Sequence, residues 1–121
     1  MGKLTTHVLD TVQGCPGVGI RVVLFRIEGD ARRQLAATQT NADGRCDRPL
    51  LEGAALVRGV YELVFDVGTY FASHDFGRAT VRADPPFLGE AVIRFGVAAP
   101  EQHYHVPLVV TPWSYGTYRG S

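Results

Sequence analysis

Alternation of apolar and polar positions along the chain predicts a protein built from short β-strands. The two clearest segments are 60–67 and 89–97, where every second residue is apolar and charged side chains lie on the opposite face. A denser apolar run over 20–27 predicts a strand with apolar contacts on both faces. Further strands are predicted over 3–11, 34–40, 103–110 and 113–118, with a short one at 54–57.

Turn-forming residues separate these segments at intervals of about ten residues, a spacing typical of a β-sandwich or barrel. One segment departs from the pattern. Residues 69–74 follow a strand, begin with the N-cap candidate Thr69 and carry Tyr70 and Phe71, so a helix of one or two turns is predicted there. No repeat or linker divides the chain, which predicts a single domain over residues 1–121.

Charge and composition narrow the range of partners. The 121 residues include 12 Lys and Arg against 12 Asp and Glu, a balance that argues against nucleic acid or an anionic membrane as partner. No apolar stretch is long enough for a membrane span and the first residues lack a secretory signal, so a cytoplasmic location is expected. Cys15 and Cys46 are too few for a disulfide scaffold and too far apart for a metal hook, and both are expected to be reduced.

Two histidines fall on the face of their strands that should point away from the core. Alternation puts His7 and His105 opposite the apolar, core-like positions of their segments. The same outer faces also carry the apolar Leu9, Pro107 and Val109, which a monomer would leave in water. This mixture indicates a covered pocket or a subunit contact.

The residues alone leave several interpretations open. The histidines are ordinary surface residues, part of a polar catalytic pocket, or, through His103 and His105, two ligands of a metal site that needs a third. Residues 41–45 are interpreted as a hairpin turn that places Arg45 at the start of the next segment. Arg45 is either solvated there or a planar positive group for an oxyanion or a polar substrate. Residues 118–121 continue a predicted strand, so they are either frayed or held at a site, and His74 is expected at the surface. No phosphate-binding loop, serine-hydrolase elbow or zinc-protease motif occurs.

Three stretches of the sequence resemble the transthyretin-like 5-hydroxyisourate hydrolases, and together they cover essentially the whole chain. They are LTTHVLD at 4–10, followed by Gly14 and Pro16; TNADGR at 40–45 with PLL at 49–51; and YHVPL at 104–108 with the terminal YRGS at 118–121. The terminal YRGS is the most specific, since it separates the hydrolases from the transthyretins, which carry hormones on the same fold. The departures are small: Gly17, Trp113 and Gly116 stand where Ala, Tyr or Phe, and Ser are common.

The resemblance implies an all-β, transthyretin-like (prealbumin-like) eight-stranded β-sandwich with one short helix, assembled as a homotetramer. It implies an active site made of His7, Arg45, His105, Tyr118, Arg119, Gly120 and Ser121. The first three would be catalytic, and all seven would bind substrate. The implied activity is hydrolysis of the small molecule 5-hydroxyisourate to 2-oxo-4-hydroxy-4-carboxy-5-ureidoimidazoline in urate degradation, with no cofactor and no metal. The alternative is a transthyretin-like binding protein for a small aromatic ligand.

Overall fold

The structure, a computed structural model, describes residues 1–74 and 83–121. In these ranges the chain forms nine β-strands, one α-helix and one 3₁₀ turn at Gly53–Ala55. The strands are β1 (Lys3–Asp10), β2 (Cys15–Pro16), β3 (Arg21–Glu28), β4 (Ala31–Gln39), β5 (Leu51–Glu52), β6 (Gly59–Phe65), β7 (Ala91–Val97), β8 (Tyr104–Val110) and β9 (Tyr115–Thr117). The helix α1 (Val67–Ala72) follows β6.

The strands form two sheets that enclose one apolar core. The first sheet has the order β2-β1-β8-β9, with β5 also paired to β1, and the second has the order β4-β3-β6-β7. Of the pairs in the described residues, only β1 and β8 are parallel. Alternate positions of both sheets supply the core, including the fully buried Leu4, Val8, Leu24, Leu63 and Leu108. Each such side chain contributes about 1.5–3 kcal/mol when buried.

This architecture confirms the predicted two-layer sandwich and most of the predicted strands. The two-residue strands β2 and β5, which pair with the end and the start of β1, lie outside the predicted segments. The charged face predicted for segment 60–67 is less exposed than its alternation indicates. Glu62 is buried because Arg32 and Arg94 each place a guanidinium nitrogen 3.0 Å from its carboxylate.

The prediction of a strand at 54–57 is wrong. The N–H of Leu56 donates to the carbonyl of Gly53 at 3.1 Å, which closes a 3₁₀ turn there. The strand pairing occurs earlier, where Leu51 pairs with Leu4. Three or four alternating residues carry too little pattern to distinguish a turn from an edge strand.

The helix exists but begins earlier than predicted, with Asp66 and not Thr69 as its N-cap. The Asp66 carboxylate accepts from the N–H of Thr69 at 3.1 Å and from its hydroxyl at 2.8 Å. Such a cap is worth about 1 kcal/mol. Val67, predicted as the last strand residue, therefore starts the helix, whose Tyr70 and Phe71 enter the core. No helix in the described ranges is long and apolar enough to cross a membrane.

Candidate active site

Two neighbouring strands bring His7 and His105 to the same face of the first sheet. In the parallel pairing of β1 and β8, Thr5 lies opposite His105 and His7 lies opposite Pro107. Strands lie ~4.8 Å apart and rise ~3.3 Å per residue, so this offset of two residues separates the two histidine Cα atoms by ~8 Å. Both histidines are half-buried, and the alternate residues of each strand fill the core, as the sequence pattern predicts.

Arg45 is placed by a tight turn that the side chain of Asn41 organises. The Asn41 amide oxygen accepts from the backbone N–H of Asp43 at 2.9 Å and of Arg45 at 3.2 Å. Gly44 adopts φ +75°, a left-handed conformation that favours glycine. The turn therefore ends with Arg45 at a fixed position after β4.

The same turn docks onto β1 beside His7. The N–H of Val8 donates to the carbonyl of Gly44 at 2.8 Å, and Arg45 forms a backbone bridge with His7. A Cβ on Gly44 would lie 2.5 Å from the carbonyl oxygen of Val8, so the position requires glycine for space as well. The prediction of a hairpin is wrong. The turn follows β4 in the second sheet, and the chain leaving it runs alongside β1 in the first sheet, so the turn connects the two sheets and not two paired strands. That crossing places Arg45 in a backbone bridge with His7 and near enough to His105 to lower the pKa of its imidazole.

The end of the chain packs against His105 through its backbone. The N–H of Gly120 donates to the carbonyl of His105 at 2.8 Å, and the two residues form a bridge. A Cβ added to Gly120 would lie 2.6 Å from Cδ2 of the imidazole. The tail is therefore held in place, and Gly120 contacts one edge of the His105 ring. The last residue, Ser121, is exposed just beyond it.

Of the other two residues of the tetrapeptide, Arg119 packs on the core side of β8. The Arg119 guanidinium donates to the carbonyl of His103 at 2.9 Å and stacks on the Tyr104 ring at 4.0 Å. Tyr118 is 65% exposed. Both line a cleft of about 350 Å³ that opens between the two sheets, with Phe95 on its other wall. The geometry thus separates Arg119 from the imidazoles and makes it an anchor of the tail.

The surroundings of His105 favour its neutral form. Partial burial lowers the pKa of His105 below its usual value, and the nearby Arg45 guanidinium and His7 side chain lower it further. The imidazole is therefore neutral at pH 7, with one nitrogen that can accept a proton and one that carries one. Nδ1 lies 2.8 Å from the hydroxyl oxygen of Thr5. The sequence does not predict this contact, although alternation places Thr5 on the same face as His7.

A metal centre would require a third ligand near His103 and His105. Within residues 1–74 and 83–121 no group of three His, Cys, Asp or Glu side chains is arranged to hold a metal ion. Cys15 and Cys46 are both free thiols, and burial raises the pKa of the Cys46 thiol. The described residues thus bring His7, Arg45 and His105 together, and this cluster is not a set of metal ligands.

The fold is thus a two-sheet β-sandwich that places two imidazoles and a guanidinium near one another on the outer face of one sheet. The chain belongs to the HIUase/Transthyretin family, whose sequence model matches residues 4–120. The predicted resemblance is thereby confirmed.

Individual relatives agree with this assignment. A 5-hydroxyisourate hydrolase of Pseudomonas aeruginosa is 51% identical over 121 residues, which are 100% of this chain and 93% of that protein. The crystal structure of (S)-allantoin synthase matches with a TM-score of 0.88 and 45% identity over 99% of this chain, which spans only 44% of that longer chain. Sea bream transthyretin in complex with thyroxine matches with a TM-score of 0.81 and 27% identity, covering 98% of this chain and 94% of that one. These similarities confirm the transthyretin-like fold.

Proposed function

We propose that this protein hydrolyses 5-hydroxyisourate, opening its six-membered ring to give 2-oxo-4-hydroxy-4-carboxy-5-ureidoimidazoline. The observation that carries the proposal is the convergence of His7, Arg45 and His105 on one face of the first sheet. The relative from Pseudomonas aeruginosa, matched over this whole chain, bears the name of that hydrolase.

The three side chains match the needs of cyclic-amide hydrolysis. One imidazole takes a proton from water as the water oxygen adds to the ring carbonyl. General-base catalysis of this kind raises the rate by roughly 10² to 10⁴. Arg45 holds the carbonyl oxygen as it becomes anionic, and a single donor of this kind contributes about 3 to 4 kcal/mol. The other imidazole gives a proton to the ring nitrogen as the carbon–nitrogen bond breaks. No step calls for a cofactor or a metal.

The terminal residues take different parts in this proposal. Gly120 forms one wall at the His105 ring, and Ser121 adds a hydroxyl just beyond it. Arg119 acts by anchoring the tail over Tyr104. A direct contact between Tyr118 and the substrate stays a prediction.

The activity can be tested directly by following the ultraviolet absorbance of freshly made 5-hydroxyisourate. We expect the protein to accelerate its loss well beyond spontaneous hydrolysis, with heat-denatured protein as the control. Because the proposed steps use only side chains, treatment with a chelator should leave the rate unchanged. A rate equal to the spontaneous one would overturn the proposed function. Loss of activity on chelation with recovery on adding metal would overturn the metal-free mechanism.

The competing function is that of a carrier, which the complex of sea bream transthyretin with thyroxine brings into consideration. A carrier site needs mainly apolar lining with a few polar groups for orientation. Two imidazoles and a guanidinium at one place suit a reacting, charge-developing substrate better. Calorimetric titration with thyroxine and with a urate analogue separates the two functions, and we expect binding of the analogue alone.

We further propose that the protein assembles as a homotetramer whose subunits cover the outer face of the first sheet. Leu9 is 38% exposed there and pairs in register with the half-buried Val109. The expectation that Pro107 adds to this exposed surface is wrong. Pro107 is buried within one chain, and the Thr117 hydroxyl of β9 donates to its carbonyl at 2.7 Å.

Val109→Asp should split the assembly and lower the activity with it, because a carboxylate would have to be buried without a partner. Light scattering should give about four times 13.2 kDa for the unchanged chain and a smaller mass for the variant. Val60→Asp, on the outer face of the second sheet, is the matched control and should stay tetrameric. An active monomer of the unchanged chain would contradict the assembly.

A further inference from the structure

One side chain next to the three proposed catalytic groups has a contact that their roles do not explain. The hydroxyl oxygen of Thr5 lies 2.8 Å from Nδ1 of His105. The two residues are direct partners in the parallel pairing of β1 and β8, and both are half-buried. The contact therefore comes from the register of two central strands and not from a loose surface rotamer.

This hydrogen bond gives the two nitrogens of the His105 imidazole different roles. With Nδ1 occupied by Thr5, Nε2 is the nitrogen left to exchange a proton with water or substrate. Thr5 bonds one side of the ring, and Gly120 lies against the Cδ2 edge, so the ring is restrained on two sides. A proton-transfer group held in one orientation avoids the rate loss that follows from small misplacements.

A hydroxyl is an unusual partner for this purpose, since it can both donate and accept. A carboxylate at Nδ1 would stabilise the positive imidazolium, as in catalytic triads. Thr5 holds the ring without adding negative charge. That fits a site in which burial, Arg45 and His7 all keep His105 neutral.

We propose that Thr5 is a positioning residue for the hydrolysis, whose hydroxyl holds Nδ1 of His105 so that Nε2 faces the reacting atoms. The proposal rests on the proposed function for its kinetic consequence. Its structural part concerns the state of the imidazole and can be measured without substrate.

The test compares Thr5→Val, which keeps the shape but removes the hydroxyl, with Thr5→Ser, which restores it. Thr11→Val is the matched control, because the Thr11 hydroxyl also bonds from the end of β1 to β8, at the carbonyl of Val110. We expect Thr5→Val to lower kcat by about tenfold or more with KM changed little. Thr5→Ser should recover most of the lost kcat, and the kcat of Thr11→Val should stay close to that of the unchanged protein.

Nitrogen-15 NMR of labelled histidine supplies the second readout at a pH where His105 is neutral. We expect the His105 nitrogen shifts to change in Thr5→Val and to return in Thr5→Ser, since they report which nitrogen carries the proton. Unchanged kcat and unchanged shifts in folded Thr5→Val would overturn the proposal, as would a loss that Thr5→Ser fails to rescue. If the unchanged protein does not hydrolyse 5-hydroxyisourate, the proposed function fails, while the NMR comparison still decides whether Thr5 holds the ring.

Discussion

Replacing Arg45 by alanine is expected to lower kcat/KM for 5-hydroxyisourate by about 10² to 10³, the usual cost of removing one oxyanion donor. Stability should hardly change, because Arg45 is exposed and its placement depends on backbone bonds of the turn. The kcat/KM of Arg45→Lys should lie between those of Arg45→Ala and the unchanged protein, since lysine keeps the charge but lacks the planar pair of donors. The measurement is turnover alongside the thermal midpoint.

His7→Ala and His105→Ala should each lower the rate by roughly 10² to 10⁴, the range for one acid or base group. The chain offers matched controls. His103 is exposed just before β8, and Arg48 is exposed three residues beyond Arg45, beside a separate cleft near Thr38. We expect His103→Ala and Arg48→Ala to keep nearly full activity. Folded His7, Arg45 and His105 variants with normal rates would show that the active site lies elsewhere.

The sequence predicts which side chains leave the core, because alternation within a strand is a local property. It places His7 and His105 on outer faces through their own neighbours, and the structure confirms both. It does not predict that β1 pairs in parallel with β8, since the partners Thr5 and His105 lie 100 residues apart. The convergence of the histidines and the Thr5 contact both depend on that register.

The position of Arg45 shows a second limit of local pattern. The residues of the 41–45 turn predict its shape, including the left-handed Gly44, yet they equally suit a hairpin. Packing decides which strand lies next to the chain after the turn, because the Gly44 carbonyl accepts from the N–H of Val8 in β1. Likewise the family resemblance of the YRGS motif implies that residues 118–121 are functional, while only the structure shows Gly120 at the imidazole and Arg119 at Tyr104.

Because the tail contacts the His105 imidazole, we expect Gly120→Ala to lower catalysis much more than stability. The new methyl would lie 2.6 Å from Cδ2 of His105, closer than carbon atoms approach, so the ring or the tail must move. A displacement of about 1 Å at a reacting group costs on the order of 10²-fold in rate. We expect that loss in kcat/KM, with a small change in thermal midpoint because the tail lies at the edge of the fold.

Gly116→Ala is the matched control for this experiment, since it adds the same methyl in β9. There the methyl would meet only Cγ2 of Val109 at 3.5 Å, an ordinary contact, and activity should stay within about twofold. Deletion of residues 118–121 or a C-terminal tag should act like Gly120→Ala, and an N-terminal tag should be tolerated because it precedes β1. Equal turnover in Gly120→Ala, the deletion and the unchanged chain would mean that the tail is a frayed terminus. A large loss in Gly116→Ala as well would assign the effect to β9 packing and not to the His105 ring.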